Sequence, residues 1–136
     1  MKIGNIKCYG IIYKITNIIN SKCYIGQTTV LLSERYSGDI IKSWVKERKE
    51  YQNQKYKEEL TDGNFVVEII DVAICQYHLD KLEAYYINEY DSYNNGYNNN
   101  AGKYNTNDGI EEFNQILEEN GLEFVNNKII KKRLHE

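Results

Sequence analysis

Two short runs, residues 8–15 (CYGIIYKI) and 23–27 (CYIGQ), are β-branched and aromatic, and the turn-prone Asn17, Asn20 and Ser21 lie between them. That pattern predicts a β-hairpin. Residues 31–36 read as a short helix, and Ser37, Gly38 and Asp39 offer a break with a cap. Ile40, Ile41, Trp44 and Val45 then recur at helical spacing, which predicts a longer charged helix reaching about Leu60. After a turn at Thr61, Asp62, Gly63 and Asn64 comes FVVEIIDVA, residues 65–73, the strongest strand signal in the chain. It is expected to be the central strand. Leu79, Leu82, Tyr86 and Tyr90 predict a helix over residues 78–90, and an Asn/Gly/Tyr-rich loop follows over 91–107. Asp108, with Glu111 three residues on, reads as a capping-box-like start for a helix whose stripe is Ile110, Phe113, Ile116 and Leu117 and whose stop is Gly121. Residues 122–125 and 128–134, around Asn126 and Asn127, could pair as a small hairpin.

These elements predict an α+β fold: a small central antiparallel or mixed β-sheet of about three strands flanked by helices, plus a C-terminal helix and hairpin. At 136 residues there is room for one ordinary core. Apolar residues at 41% and charged residues at 27% exclude a wholly disordered or fibrous chain. No stretch approaches the roughly 18 to 20 apolar residues of a membrane span, and no apolar segment follows Lys2 as a signal peptide would require, so a cytoplasmic protein with no membrane partner is expected. Cys8, Cys23 and Cys75 are odd in number and lack metal-ligand spacing, which predicts free, partly buried thiols.

The net charge of -3 hides an asymmetry: residues 1–60 carry +5 and residues 61–136 carry -8. A basic N-terminal half offers a phosphate-facing surface, although mixed-charge solvated helices would give the same sum. Glu83 stands out differently. It lies four residues after Leu79 and three before Tyr86, so it puts a carboxylate on the helix face that should meet the core. A buried acid is costly unless paired; an isolated one would more often pair with Arg35 or Lys81 than with a cation. With Ile18 and Ile19 at the hairpin tip, Tyr13 falls opposite Tyr24, either a plain aromatic pair or a joint site for water or a phosphate oxygen. Gly26, two residues on, marks a close approach by backbone or ligand. His78 and His135 read as ordinary surface residues.

Residues 11–17 (IIYKITN) and 23–27 (CYIGQ) together resemble the GIY-YIG nuclease family. The resemblance covers about residues 8–102 and implies a nuclease domain over 1–104, with 105–136 as an acidic helix and C-terminal extension. It also implies an arginine, matched by Arg35, a later helical glutamate, matched by Glu83, and a downstream asparagine, matched by Asn98. The first motif departs from the family in reading Ile-Ile-Tyr, with the glycine displaced to Gly10, and a common histidine has only Tyr51 as its nearest positional match.

The activity so implied is metal-dependent endonucleolytic hydrolysis of DNA to 5′-phosphate and 3′-hydroxyl ends, by a small homing-endonuclease-like enzyme of a phage or mobile element. Glu83 would hold one Mg²⁺ or Mn²⁺ ion, an ion suited to carboxylate and water. Arg35 would clamp the phosphate. Tyr13 would take the proton from water, with Tyr24 orienting that water or lowering the phenol pKa, since an unperturbed phenol near 10 is a poor base. Asn98 would brace Glu83 or the motif hairpin. The alternative is a non-catalytic DNA-binding or protein-interaction module that keeps the nuclease fold. The segment 105–127 carries six acids and no Lys or Arg, so it should pack away from DNA. Its apolar stripe should meet the core or a second copy in a homodimer.

Overall fold

The computed structural model describes residues 2–3, 5–29, 37–50, 57–103 and 107–132. A short pair, β1 (Lys2–Ile3) with β2 (Ile6–Lys7), precedes the main sheet. That sheet is built from β3 (Gly10–Asn17), β4 (Cys23–Thr28) and β5 (Phe65–Ala73), antiparallel throughout, with β3 in the centre and β4 and β5 at the edges. The FVVEIIDVA strand therefore lies at an edge; the first motif strand occupies the middle. Ile11, Ile12 and Ile15 of that strand are fully buried.

Side chains alternate across a strand, so β3 sends its residues to two different cores. On one face Ile15, Phe65 and Tyr97 pack with Ile40, Ile41, Trp44 and Val45 of α1 (Ser37–Lys49). On the other, Ile12, Cys23, Ile25 and Ala73 pack with Leu79, Leu82 and Ile87 of α2 (Gln76–Glu89). The displaced Gly10 has a use here, because a Cβ at that position would lie 2.9 Å from Leu79 Cδ2 and 3.0 Å from the Thr28 carbonyl oxygen. Glycine lets α2 and β4 close on β3.

A third core joins α3 (Ile110–Glu119) and the hairpin β6 (Leu122–Val125) and β7 (Lys128–Lys131) to the start of α2. Phe113 and Leu117 of the predicted stripe are buried against Ile74, Cys75 and Tyr77. His78, expected on the surface, is instead 2% exposed. Its Nδ1 accepts the Ile74 N–H at 3.1 Å, and its ring packs against both Phe113 and Phe124, with centroids 5.1 and 5.3 Å away. Gly109 in the left-handed region, not Asp108, caps α3. Asn126 and Asn127 both adopt positive φ, as a two-residue hairpin turn requires.

Other boundaries differ from the sequence reading. Ser37, Gly38 and Asp39, expected as a break, belong to α1, which ends at Lys49, and a 3-10 turn occupies Lys57–Glu59 where continued α-helix was expected. There Glu59 accepts from the Tyr97 hydroxyl at 2.9 Å and pairs with Lys22 at 3.0 Å, tying that turn to the main hairpin. The helix expected over 31–36 lies outside the described residues, as does His135. Cys8 is half-buried, Cys23 and Cys75 are buried, and all are free thiols. Among the described residues no helix is long and apolar enough to cross a membrane.

Candidate active site

The hairpin register places Tyr13 opposite Gly26 and Ile15 opposite Tyr24. The expected direct Tyr13–Tyr24 pairing is therefore corrected by two residues. The cause is the turn: Asn17 Oδ1 accepts the Ile19 N–H at 2.9 Å, Ser21 takes positive φ, and the backbone closes from Asn17 to Lys22. A side-chain-capped turn of this kind takes more residues than a two-residue tip. The two tyrosines still share a face, now diagonally, with ring centroids 6.3 Å apart.

The offset makes room for the phenol. With Gly26 opposite, the Tyr13 ring lies over bare backbone; a Cβ there would be 2.5 Å from the Tyr13 hydroxyl oxygen and 2.8 Å from Tyr24 Cε2. On the other side of β3 its partner β5 has a bulge, since Ile12 pairs with Asp71 but Tyr13 with Ile69, leaving Ile70 of β5 unpaired. Bulges re-aim the side chains beside them.

Glu83 is half-buried on α2, and its charge is felt by both phenols. Burial holds its own pKa above the usual carboxylate range, nearby Asp80 adds to the rise, and a hydrogen bond from Gln27 and the Lys103 charge oppose it. Tyr13 is pushed well above the usual phenol range by burial first, then by Tyr24 and Glu83. Tyr24 thus raises the Tyr13 pKa, contrary to the expectation that it would lower it, because two phenols in one desolvated site cannot both ionise easily. Tyr24 itself is raised by burial.

The counterweight is Arg48, which the sequence reading missed. Its guanidinium carbon lies 4.5 Å from the Tyr24 ring centroid and 5.6 Å from that of Trp44, and the residue is 5% exposed. It acts to lower both phenol pKa values. The signal was present: Arg48 follows Ile41, Trp44 and Val45 on the helical stripe, a charge on a core-facing face like that of Glu83. Arg35 and Tyr51 lie outside the described residues.

Asn98 braces the hairpin, not Glu83. Its Nδ2 donates to the Ile25 carbonyl at 2.9 Å and its Oδ1 accepts the Ile25 N–H at 2.9 Å. Tyr97 holds it there, donating its N–H to the Cys23 carbonyl and burying its ring against Trp44 and Phe65. Four of the five proposed landmarks, drawn from residues 13 to 98, thus meet around β4. Among the described residues no three His, Cys, Asp or Glu side chains form a metal cage. A half-buried carboxylate with water completing the shell nevertheless suits a hard divalent ion. The chain matches no protein-family model, no curated protein and no solved structure, so its chemistry is read from these side chains alone.

Proposed function

We propose that the chain is a metal-dependent DNA endonuclease of the GIY-YIG kind, cutting phosphodiester bonds to leave 5′-phosphate and 3′-hydroxyl ends. The observation carrying this reading is the Tyr13 phenol laid over Gly26, 6.3 Å from Tyr24 between ring centroids and within the field of Glu83. A merely structural tyrosine pair needs neither a bare glycine beneath it nor a desolvated acid beside it.

In this reading Glu83 holds one Mg²⁺ or Mn²⁺ ion. When bound, that ion supplies positive charge for the phosphate and the departing 3′ oxygen. Tyr13 orients the attacking water and receives its proton, which requires the phenol to be drawn down from its raised resting pKa; Arg48 already pulls in that direction. Arg35 engages the phosphate, for which a planar guanidinium is suited. Asn98 keeps the Tyr24 strand in register. A phage or mobile-element enzyme acting on DNA, as a monomer or a homodimer, fits this reading.

The test is incubation of supercoiled plasmid with the protein and Mg²⁺, beside Glu83→Ala. Nicked or linear product from the wild type alone supports the assignment. Equal cleavage by Glu83→Ala refutes it, and DNA retention without cutting by either protein points to a binding module.

A further inference from the structure

Downstream of Asn98 the chain crosses from β4 to α2. Gly102 lies directly on that helix: its φ is +84°, and a Cβ there would be 2.9 Å from Ala84 Cα and 3.0 Å from Ala84 Cβ. Its N–H donates to Asn100 Oδ1 at 2.9 Å. The next residue, Lys103, turns back along α2 and brings its Nζ to 4.0 Å from Asp80 Oδ2. Glu83 and Ala84 follow Asp80 by three and four residues and share one side of the helix with it. The lysine therefore spans the turn that carries Glu83.

Asp80 is itself held still. It is 7% exposed, and its Oδ1 accepts from Gln27 Nε2 at 3.0 Å and from Gln76 Nε2 at 2.8 Å, which leaves Oδ2 to the lysine. Gln27 follows Gly26, so this carboxylate is tied to the strand residue next to the one that the Tyr13 phenol covers. The Lys103 side chain is nonetheless 72% exposed, and 4.0 Å is too long for a hydrogen bond. An open ion pair of this kind adds little to stability; its ammonium donors stay available to a ligand.

Two carboxylates on one helical turn repel an approaching phosphodiester. Arg48 does not offset this at the rim of the site, because it is turned inward on the Tyr24 and Trp44 rings and is 5% exposed. Lys103, exposed on the same turn as both acids, does. We propose that Lys103 is a phosphate-binding residue of the site, contacting the DNA backbone beside the phosphate engaged at Glu83. This role rests on the nuclease reading of Glu83. The contact is made equally before and during the reaction, so it sets affinity and leaves the chemical step alone.

The experiment uses the full chain and two readouts: affinity for a short DNA duplex by fluorescence anisotropy, without divalent metal and over a salt series, and KM and kcat for plasmid nicking in Mg²⁺. Lys103→Ala should lower duplex affinity about tenfold at about 0.1 M salt and make log affinity against log salt shallower by about 0.9, the release of one counterion. KM should rise, with kcat and far-UV circular dichroism unchanged. Lys103→Arg should keep wild-type affinity. Lys131→Ala, in β7 of the acidic C-terminal layer, should match the wild type in affinity and slope. An unchanged slope in Lys103→Ala overturns the proposal. So does an equal loss in Lys131→Ala, which would reflect net charge alone, and so does a fall in kcat at constant KM. A wild type that binds duplex with the Lys103-dependent slope yet never nicks plasmid overturns the nuclease reading and leaves the phosphate contact standing. One that cuts DNA while Lys103→Ala binds and cuts equally well overturns the contact alone, and one that holds no DNA overturns both.

Discussion

A methyl group at Gly26 would intrude within 2.5 Å of the Tyr13 hydroxyl oxygen, so Gly26→Ala forces the phenol aside. The cost to folding should be that of overpacking, about 1–3 kcal/mol. Cleavage should fall further, about a hundredfold, because misplacing a reacting group by an ångström costs about that much; urea unfolding and nicking rates measured on one preparation separate the two. Glu83→Gln should behave in the opposite way. A carboxyl whose folded pKa is raised by burial adds stability only below its unfolded pKa and loses it as pH rises, so at neutral pH the neutral amide should raise the melting temperature of the metal-free protein while abolishing cleavage. Glu83 was legible in the sequence because an acid on an apolar stripe contradicts its surroundings. Arg48 broke the same rule on α1 and was passed over, since a long cation ordinarily reaches solvent past a core edge. Only the packed rings of Tyr24 and Trp44 show that this one turns inward.

His78 ties α2 to α3 and β6 through a ring that must stay neutral, because its Nδ1 lone pair accepts the Ile74 N–H. Burial lowers its pKa from 6.5 to about 4. Between those values the unfolded chain binds the proton more readily than the folded one. Stability from this contact is therefore complete above pH 6.5 and is lost as pH falls toward 4, by up to about 3 kcal/mol. Urea midpoints at pH 7 and 4.5 should show this loss, and His78→Phe should flatten it. Elements with strong periodicity were legible, and β5 was read to the residue. The register of the main hairpin was not, because it depends on one Asn17 side-chain bond and one positive φ at Ser21. Periodicity fixes which face a residue occupies, so Tyr13 and Tyr24 were rightly placed together, but it does not say which residue lies opposite.

Across the whole molecule the acidic C-terminal segment is an integral layer, since Phe113 at 2% and Leu117 at 5% exposure are covered by Ile74, Cys75 and Tyr77. A chain stopped after Lys103 should lose more stability than Phe113→Ala, itself expected to cost about 3–5 kcal/mol, and calorimetry of both would show it. The apolar stripe was visible in the sequence; its partner was not, because Tyr77 and His78 lie at the start of a helix whose own periodic signal begins at Leu79. The brace at Asn98 reaches further still. By engaging both backbone groups of Ile25, one amide occupies the rim of the sheet where another strand would otherwise dock, and an open rim is a template for edge-to-edge aggregation. Asn98→Ala should therefore do more than loosen the site: above a threshold concentration light scattering should reveal soluble, then insoluble, β-linked assemblies of otherwise folded chains. The loop that completes the candidate site also keeps neighbouring molecules apart.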